Sequence, residues 1–184
     1  MHRPRPYLRD LDAADATFYR SLYGCADAMR HVGPPLSDAA ARRAFEAALR
    51  QRPAHYWVVV EPQVGGGIGL VGLVPDRGAP ASAEIGVLLA AGMGRRGYAS
   101  GAIVAVCHRA FAAGIERIWA RHAAGHLAAE RLMRRMGFAP CPRETPGGEW
   151  RWQRLAVDGP PPSGPDAWFN FAEGAASAAL PRMA

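Results

Sequence analysis

The chain has 184 residues and a mass of 19.7 kDa, with 49% hydrophobic and 21% charged residues. That is the length of one domain with room for a real core, and the composition excludes wholesale disorder. All 22 basic residues are arginine and the net charge is +6. No apolar run reaches the roughly 18 residues needed to span a bilayer, and the opening MHRPRPYLRD has no apolar signal core. The expectation is a soluble, cytoplasmic protein with no membrane partner.

The basic balance reads either as the coding bias of a GC-rich genome or as attraction to an anion. The arginines are scattered, without a run interleaved by aromatics, which argues against nucleic acid. Cys25, Cys107 and Cys141 are odd in number and unevenly spaced, so neither a disulfide framework nor a four-ligand zinc site is expected.

In chain order, residues 7–11 predict a short strand. Asp12 is placed as an N-cap with Asp15 three positions on, opening a helix over 13–23. Residues 24–36, with Gly33-Pro34-Pro35, read as a loop. Ser37 caps a helix over 38–50 whose apolar residues Ala41, Ala44, Phe45 and Ala48 share one face. Three strands follow, over 56–61, 67–74 and 83–89, with turn signals between them, as in an antiparallel meander. The period then changes: Ile103, Val106, Cys107, Ala110 and Phe111 mark an amphipathic helix over 97–113. A strand over 115–121 and a helix over 126–136 come next, the latter with Ala129, Leu132, Met133 and Met136 inward and Gly137 as its stop. Segments 138–141 and 149–157 read as closing strands. A domain over 1–157 is expected, with a Pro/Gly-rich tail over 158–184 carrying Trp168, Phe169 and Phe171. The fold class is α/β: a mixed, mostly antiparallel sheet flanked by helices, in which the helix after Leu89 crosses over to a parallel neighbour.

The chemically informative segment runs from the strand Glu84-Ile85-Gly86-Val87-Leu88-Leu89 into Gly94-Arg95-Arg96-Gly97-Tyr98-Ala99 and the long helix. A strand that feeds a glycine-bearing turn into a helix start aims backbone amides, and the positive end of the helix dipole, at one point. Phosphate or pyrophosphate is the natural guest, with Arg95 and Arg96 adding charge. A plain connection whose glycines only permit a tight turn is the alternative. A second segment, Trp119-Ala120-Arg121 followed by the helix from His126 to Met136-Gly137-Phe138, gives a strand, a helix and a Gly-Phe exit.

With these residues in this order, the chain resembles the GNAT superfamily of acyl-CoA N-acyltransferases, in particular the branch with the ribosomal-protein-alanine N-acetyltransferases. The resemblance runs from about residue 7 to 157. It implies a V-shaped opening between the strand of Val87 and the strand of Trp119. Acetyl-CoA would lie there, leaving CoA as product. Its pantetheine arm would pair with the backbone of Val87, Leu88 and Leu89, and its pyrophosphate would sit on Gly94, Arg95, Arg96, Gly97, Tyr98 and Ala99. His126, where the family commonly has Asn, is a further cofactor contact. Departures from the family pattern are Gly94 in place of Gln or Arg, Ala129 in place of Ser, Met133 in place of Tyr, and Arg121 where some members carry a carboxylate.

Amine acylation by a thioester needs a neutral amine, an oxyanion donor and a proton for the thiolate. The backbone N–H near Val87 or Leu88 suits the oxyanion. Glu84 is the surviving carboxylate for deprotonating the amine, or else a structural hydrogen-bond partner. A site poor in acid–base groups suits an α-amine, of pKa roughly 8, better than a lysine of about 10.4. Acceptor recognition is expected from the 25–36 loop with Met29, Arg30 and His31, from Arg121, and from the 142–148 loop with Arg143. The acceptor is a peptide or protein N-terminus or a small-molecule amine, the protein a monomer or homodimer. Outside enzymes, a catalytically silent acyl-CoA-binding module is the competing reading.

Other signals are weaker. Gly67-Ile68-Gly69-Leu70-Val71-Gly72 matches the dinucleotide fingerprint, but Leu73-Val74-Pro75-Asp76 follows rather than a helix. Glycines that make room for a neighbouring chain are expected there. His122 and His126 straddle a strand–helix junction and read as satisfied or exposed side chains, not zinc ligands. Cys107 is expected in the core. Trp150 and Trp152 share a strand face, as core or as a wall of the acceptor pocket.

Overall fold

The computed structural model describes residues 5–50, 53–79, 81–141, 149–158 and 170–171. Its strands are β1 (Tyr7–Asp10), β2 (His55–Glu61), β3 (Gly66–Pro75), β4 (Ser82–Leu89), β5 (Arg117–Ala123), β6 (Ala139–Pro140), β7 (Glu149–Leu155) and β8 (Asn170–Phe171). Its helices are α1 (Ala16–Gly24), α2 (Ala26–Met29), α3 (Asp38–Arg50), α4 (Tyr98–Ala112) and α5 (Leu127–Arg135). The strands form one sheet in the order β6-β7-β5-β4-β3-β2-β1-β8. The pairs β4–β5 and β1–β8 are parallel and the others antiparallel, so the mixed, mostly antiparallel α/β class holds.

The local signals explain where the elements begin and end. Asp12 accepts from the Ala14 amide while its own amide donates to Asp15 Oδ2, a reciprocal capping box that opens a single 3-10 turn before α1. Arg9 clamps the same Asp15 through both oxygens at 2.5 and 2.7 Å. Ser37 Oγ accepts from the Ala40 amide at the start of α3. Both α4 and α5 end in Schellman motifs. Gly114 and Gly137 take left-handed φ values of +94° and +71°. The Ile115 amide then reaches Ala110 O, and the Phe138 amide reaches Met133 O, both at 3.0 Å.

Two cores lie on opposite faces of the sheet. One packs α4 against Trp57, Val59, Val71, Ile85 and Ile118, with Cys107 fully buried inside it. The other packs Tyr19, Leu22 and Phe45 of α1 and α3 against Val58, Val60 and Leu70. The fingerprint-like glycines sit between strands, as expected. A Cβ at Gly67 would come within 2.8 Å of Val58, at Gly69 within 2.5 Å of Leu89, and at Gly72 within 2.8 Å of the Tyr56 ring.

Three segments differ from the expectations. The 24–36 loop contains the short helix α2, pinned by Met29, which is 4% exposed. β5 starts two residues late because Ile115 closes the Schellman motif of α4 instead of entering the sheet. In the tail, Asn170–Phe171 adds an outer strand to β1, and Phe171 packs edge-on against Trp57 and under the Arg109 guanidinium. Trp168, Phe169, the side chain of Trp150 and the whole 142–148 loop lie outside the described residues.

Gly137 carries a strong constraint, because a Cβ there would also come within 2.1 Å of Arg154, whose guanidinium caps Met136 O and Gly137 O. Gly137→Ala is expected to lower the unfolding free energy by at least about 1–2 kcal/mol, read as a lower midpoint in denaturant or thermal unfolding.

Candidate functional site

β4 is paired with β3 along its length, from Pro75↔Ala83 to Gly69↔Leu89. On its other side it pairs with β5 only from Ser82↔Arg117 to Glu84↔Trp119. β5 keeps all seven residues paired to β7. The two strands therefore part beyond Glu84 and Trp119. Counting three residues onward along each from that last pair brings Val87 level with His122. Val87, Leu88 and Leu89 thus present one backbone edge to a cleft and not to β5.

At the top of β4 the chain turns sharply into α4. Gly92, Arg95 and Gly97 have φ of +78°, +62° and +83°. Arg95 is the unusual member, since a non-glycine residue held in the left-handed region costs about 1 kcal/mol or more. Gly97 is the N-cap and has no side chain to cover the helix start; intrahelical bonding begins with the Gly101 amide on Gly97 O. The first-turn amides of α4 have no carbonyl partner within the helix and add to the positive end of its dipole. Arg95 and Arg96 are exposed around this turn, and nothing lies within 4 Å of where a Gly94 side chain would begin. This arrangement fits a diphosphate.

The turn is fastened from beneath. Tyr98 is buried, and its hydroxyl donates to Glu61 Oε2 at 2.9 Å. Glu61, itself 6% exposed, also accepts from the Gln63 amide. Burial and the Glu61 carboxylate push the Tyr98 phenol up. Its side chain therefore anchors the turn. From the other side, Arg135 of α5 donates to Ser100 Oγ at 2.5 Å.

Across the cleft, Arg121 of β5 donates to Glu84 of β4 at 2.8 Å, uniting an expected base with an expected acceptor contact. On the same face the Arg151 guanidinium covers the Trp119 ring at 4.0 Å, and the Trp119 indole N–H is buried without an acceptor. Met29 packs inward and Arg30 is turned onto Asp27. Arg143 lies outside the described residues.

The third expected member of the 25–36 loop, His31, lies beside the end of β5. Its ring stacks on that of His126 at 4.0 Å, and His122 meets His126 edge-on at 6.2 Å. His122 Nε2 accepts from the buried Trp152 indole, which can only donate, so Nδ1 carries the proton and donates to Ala123 O. Trp152 is core, 1% exposed. Burial, followed by His31 and then His122, holds His126 below the ordinary histidine value. Among the described residues no group of histidine, cysteine or carboxylate side chains is gathered to hold a metal ion. No helix among them is long and apolar enough to cross a membrane.

Sequence reasoning missed the Glu61–Tyr98 anchor and the His31–His126 stack. A carboxylate ending an otherwise apolar strand, His55–Glu61, was the available signal for the first.

Comparison with known proteins bears on this geometry. A family model described as an acetyltransferase (GNAT) domain matches residues 5–139. No curated protein matches the sequence significantly. Among solved structures, a spermidine N-acetyltransferase from Vibrio cholerae in complex with CoA and spermine superposes with a TM-score of 0.71 at 20% identity, covering 83% of this chain and 96% of that one. A GNAT-family acetyltransferase from Bacillus anthracis gives 0.70 at 18% identity, covering 85% and 98%. An acetyltransferase from Agrobacterium tumefaciens gives 0.69 at 21%, covering 84% and 92%. At these identities the likeness is one of fold.

Tyr98→Phe removes the hydroxyl that satisfies buried Glu61. A loss of about 1–3 kcal/mol in unfolding free energy is expected, measurable by chemical denaturation.

Proposed function

Because the chain belongs to the acetyltransferase (GNAT) domain family, we propose that it moves an acetyl group from acetyl-CoA to a primary amine by direct transfer in a ternary complex. The observation that carries this reading is the parting of β4 from β5 beside the amide end of α4. The cleft offers a strand edge to an amide-bearing pantetheine arm, and the turn offers amides and two arginines to a diphosphate. Acetyl-CoA supplies the activated acyl group. The residues for it are the backbone of Val87, Leu88 and Leu89, the turn from Gly94 to Ala99, and His126. A backbone N–H near Val87 is assigned to the carbonyl oxygen of the thioester. Glu84 is the carboxylate that meets the incoming amine.

The finer reading is an α-amine on an acceptor that carries a carboxylate or acidic side chain, such as a peptide N-terminus. Two arguments support it. Glu84 is already engaged by Arg121, and Asp27 by Arg30, so the described acceptor side has little negative charge to offer a polycation such as spermidine, the substrate named for the Vibrio protein. An α-amine, with a pKa of roughly 8, is also partly neutral near pH 7.5 without a strong base, whereas a lysine side chain at about 10.4 is not.

The test is acetyl-CoA turnover on matched acceptors. Peptides with a free α-amine and an acidic second residue are expected to outpace the same peptides with only a free ε-amine, and to outpace spermidine. A preference for spermidine would overturn the acceptor assignment. CoA binding without thiol release on any amine would leave a silent CoA-binding module. Arg121→Ala is expected to raise KM for the acidic acceptor by about tenfold, equivalent to roughly 1.4 kcal/mol, with a smaller effect on an uncharged peptide.

A further inference from the structure

The acetyl-transfer reading leaves open where the amine proton goes, since Glu84 is tied to Arg121. Three imidazoles meet beside the end of β5 from three separate segments: His31 after α2, His122 near the end of β5, and His126 at the N-cap of α5. Their positions are not equivalent. His122 has both ring nitrogens occupied, by Trp152 and by Ala123 O, which leaves it a fixed wall. His31 is exposed at the rim. His126 lies between them, half-buried, and its contacts to both are ring to ring. His126 follows the end of β5, where His122 is level with Val87 on the opposite wall.

We propose that His126 is the proton acceptor of the transfer reaction, held in place by the His31 ring. The inference rests on the acetyl-transfer reading. As the amine nitrogen bonds to the acyl carbon and the C–S bond breaks, His126 takes the proton the nitrogen sheds and returns it to the departing thiolate. Amide and free thiol account for every atom, and no oxidation occurs.

The surroundings suit this role. Charged side chains on neighbouring elements pair with one another: Asp27 with Arg30 on α2, Glu84 with Arg121 across the cleft, and Glu130 with Arg134 further along α5, where Arg135 bonds Ser100. His31 and His122 are the titratable groups that bear on His126. Burial and these two rings keep His126 below the usual histidine value, so it is in its neutral, proton-accepting form at pH 7.

The experiment compares the full-length protein with His126→Asn, His31→Ala and Glu84→Gln. Asparagine is a good N-cap, so His126→Asn keeps the start of α5; an unchanged thermal midpoint and far-UV circular dichroism spectrum verify this. Expected for His126→Asn is a fall in kcat of about 100-fold or more, with loss of the acidic limb from the pH profile of kcat/KM. In NMR titrations of the apo protein, the His126 ring should titrate below a free histidine and move upward in His31→Ala, which removes the adjoining ring. The proposal is overturned if His126→Asn keeps kcat within a few-fold and retains the acidic limb. It is equally overturned if Glu84→Gln, and not His126→Asn, abolishes that limb. Wild-type protein that binds CoA yet acetylates no amine would instead refute the acetyl-transfer reading, and this one with it.

Discussion

The site depends on an unequal division of strand pairing. β4 commits its length to β3, and β5 commits its length to β7. Only three residue pairs join β4 to β5. Backbone groups along a strand must be satisfied by something, and here the sheet leaves the inner edges of two strands for water or a ligand to satisfy. A fully zipped sheet would gain a few hydrogen bonds, each of modest net value, and would abolish the cleft. The helices sustain the opening. α4 covers one face from the top of β4, and α5 leaves the end of β5 to pack Met133 into the same core.

The turn at the end of β4 shows how the fold stiffens the surface proposed to take an anion. Three left-handed residues in six, Gly92, Arg95 and Gly97, fold the backbone tightly enough for the α4 amides to converge. Such a turn has few contacts of its own. The buried Glu61–Tyr98 hydrogen bond ties it to the end of β2, and the Arg135–Ser100 bond ties it to α5. A pre-organised anion site loses less ordering entropy when its ligand arrives, so on the proposed reading these supports would act on affinity through rigidity.

Much of the fold was legible in the sequence because its signals are local. Asp12 and Asp15 are three residues apart, Ser37 abuts its helix, and Gly114 and Gly137 stand at the ends of apolar periodicities. α2 was not legible, since four residues are too few to display a period. The two residues of β8 gave no strand signal of their own and are fixed by Trp57 and Arg109. In the candidate site, the strand and the glycine turn could be read directly. The Glu84–Arg121 and Glu61–Tyr98 partners, each 37 residues apart, could not. Neither could the stacking of His31 on His126. Such contacts are set by how the sheet places strand ends and loops, and pairwise chemistry leaves no mark at fixed spacing in the chain.

The Glu84–Arg121 pair is the place where stability and function can be weighed against each other. Arg121 is 51% exposed and Glu84 24%, and a solvated pair of this kind contributes at most about 1 kcal/mol to folding. Holding two strands together is therefore a poor explanation for a pair at the mouth of a cleft. On the proposed acceptor reading, its low worth has a chemical consequence: an incoming carboxylate would exchange for Glu84 on Arg121 at little cost, and the displaced Glu84 would turn to the ammonium or amine of the same molecule. A substrate with both charges would complete two ion pairs in place of one, whereas a polycation would satisfy Glu84 and leave Arg121 facing like charge. On that reading the pair would favour the acidic amine and oppose the polyamine, in the way interfaces obtain specificity from repulsion as well as attraction.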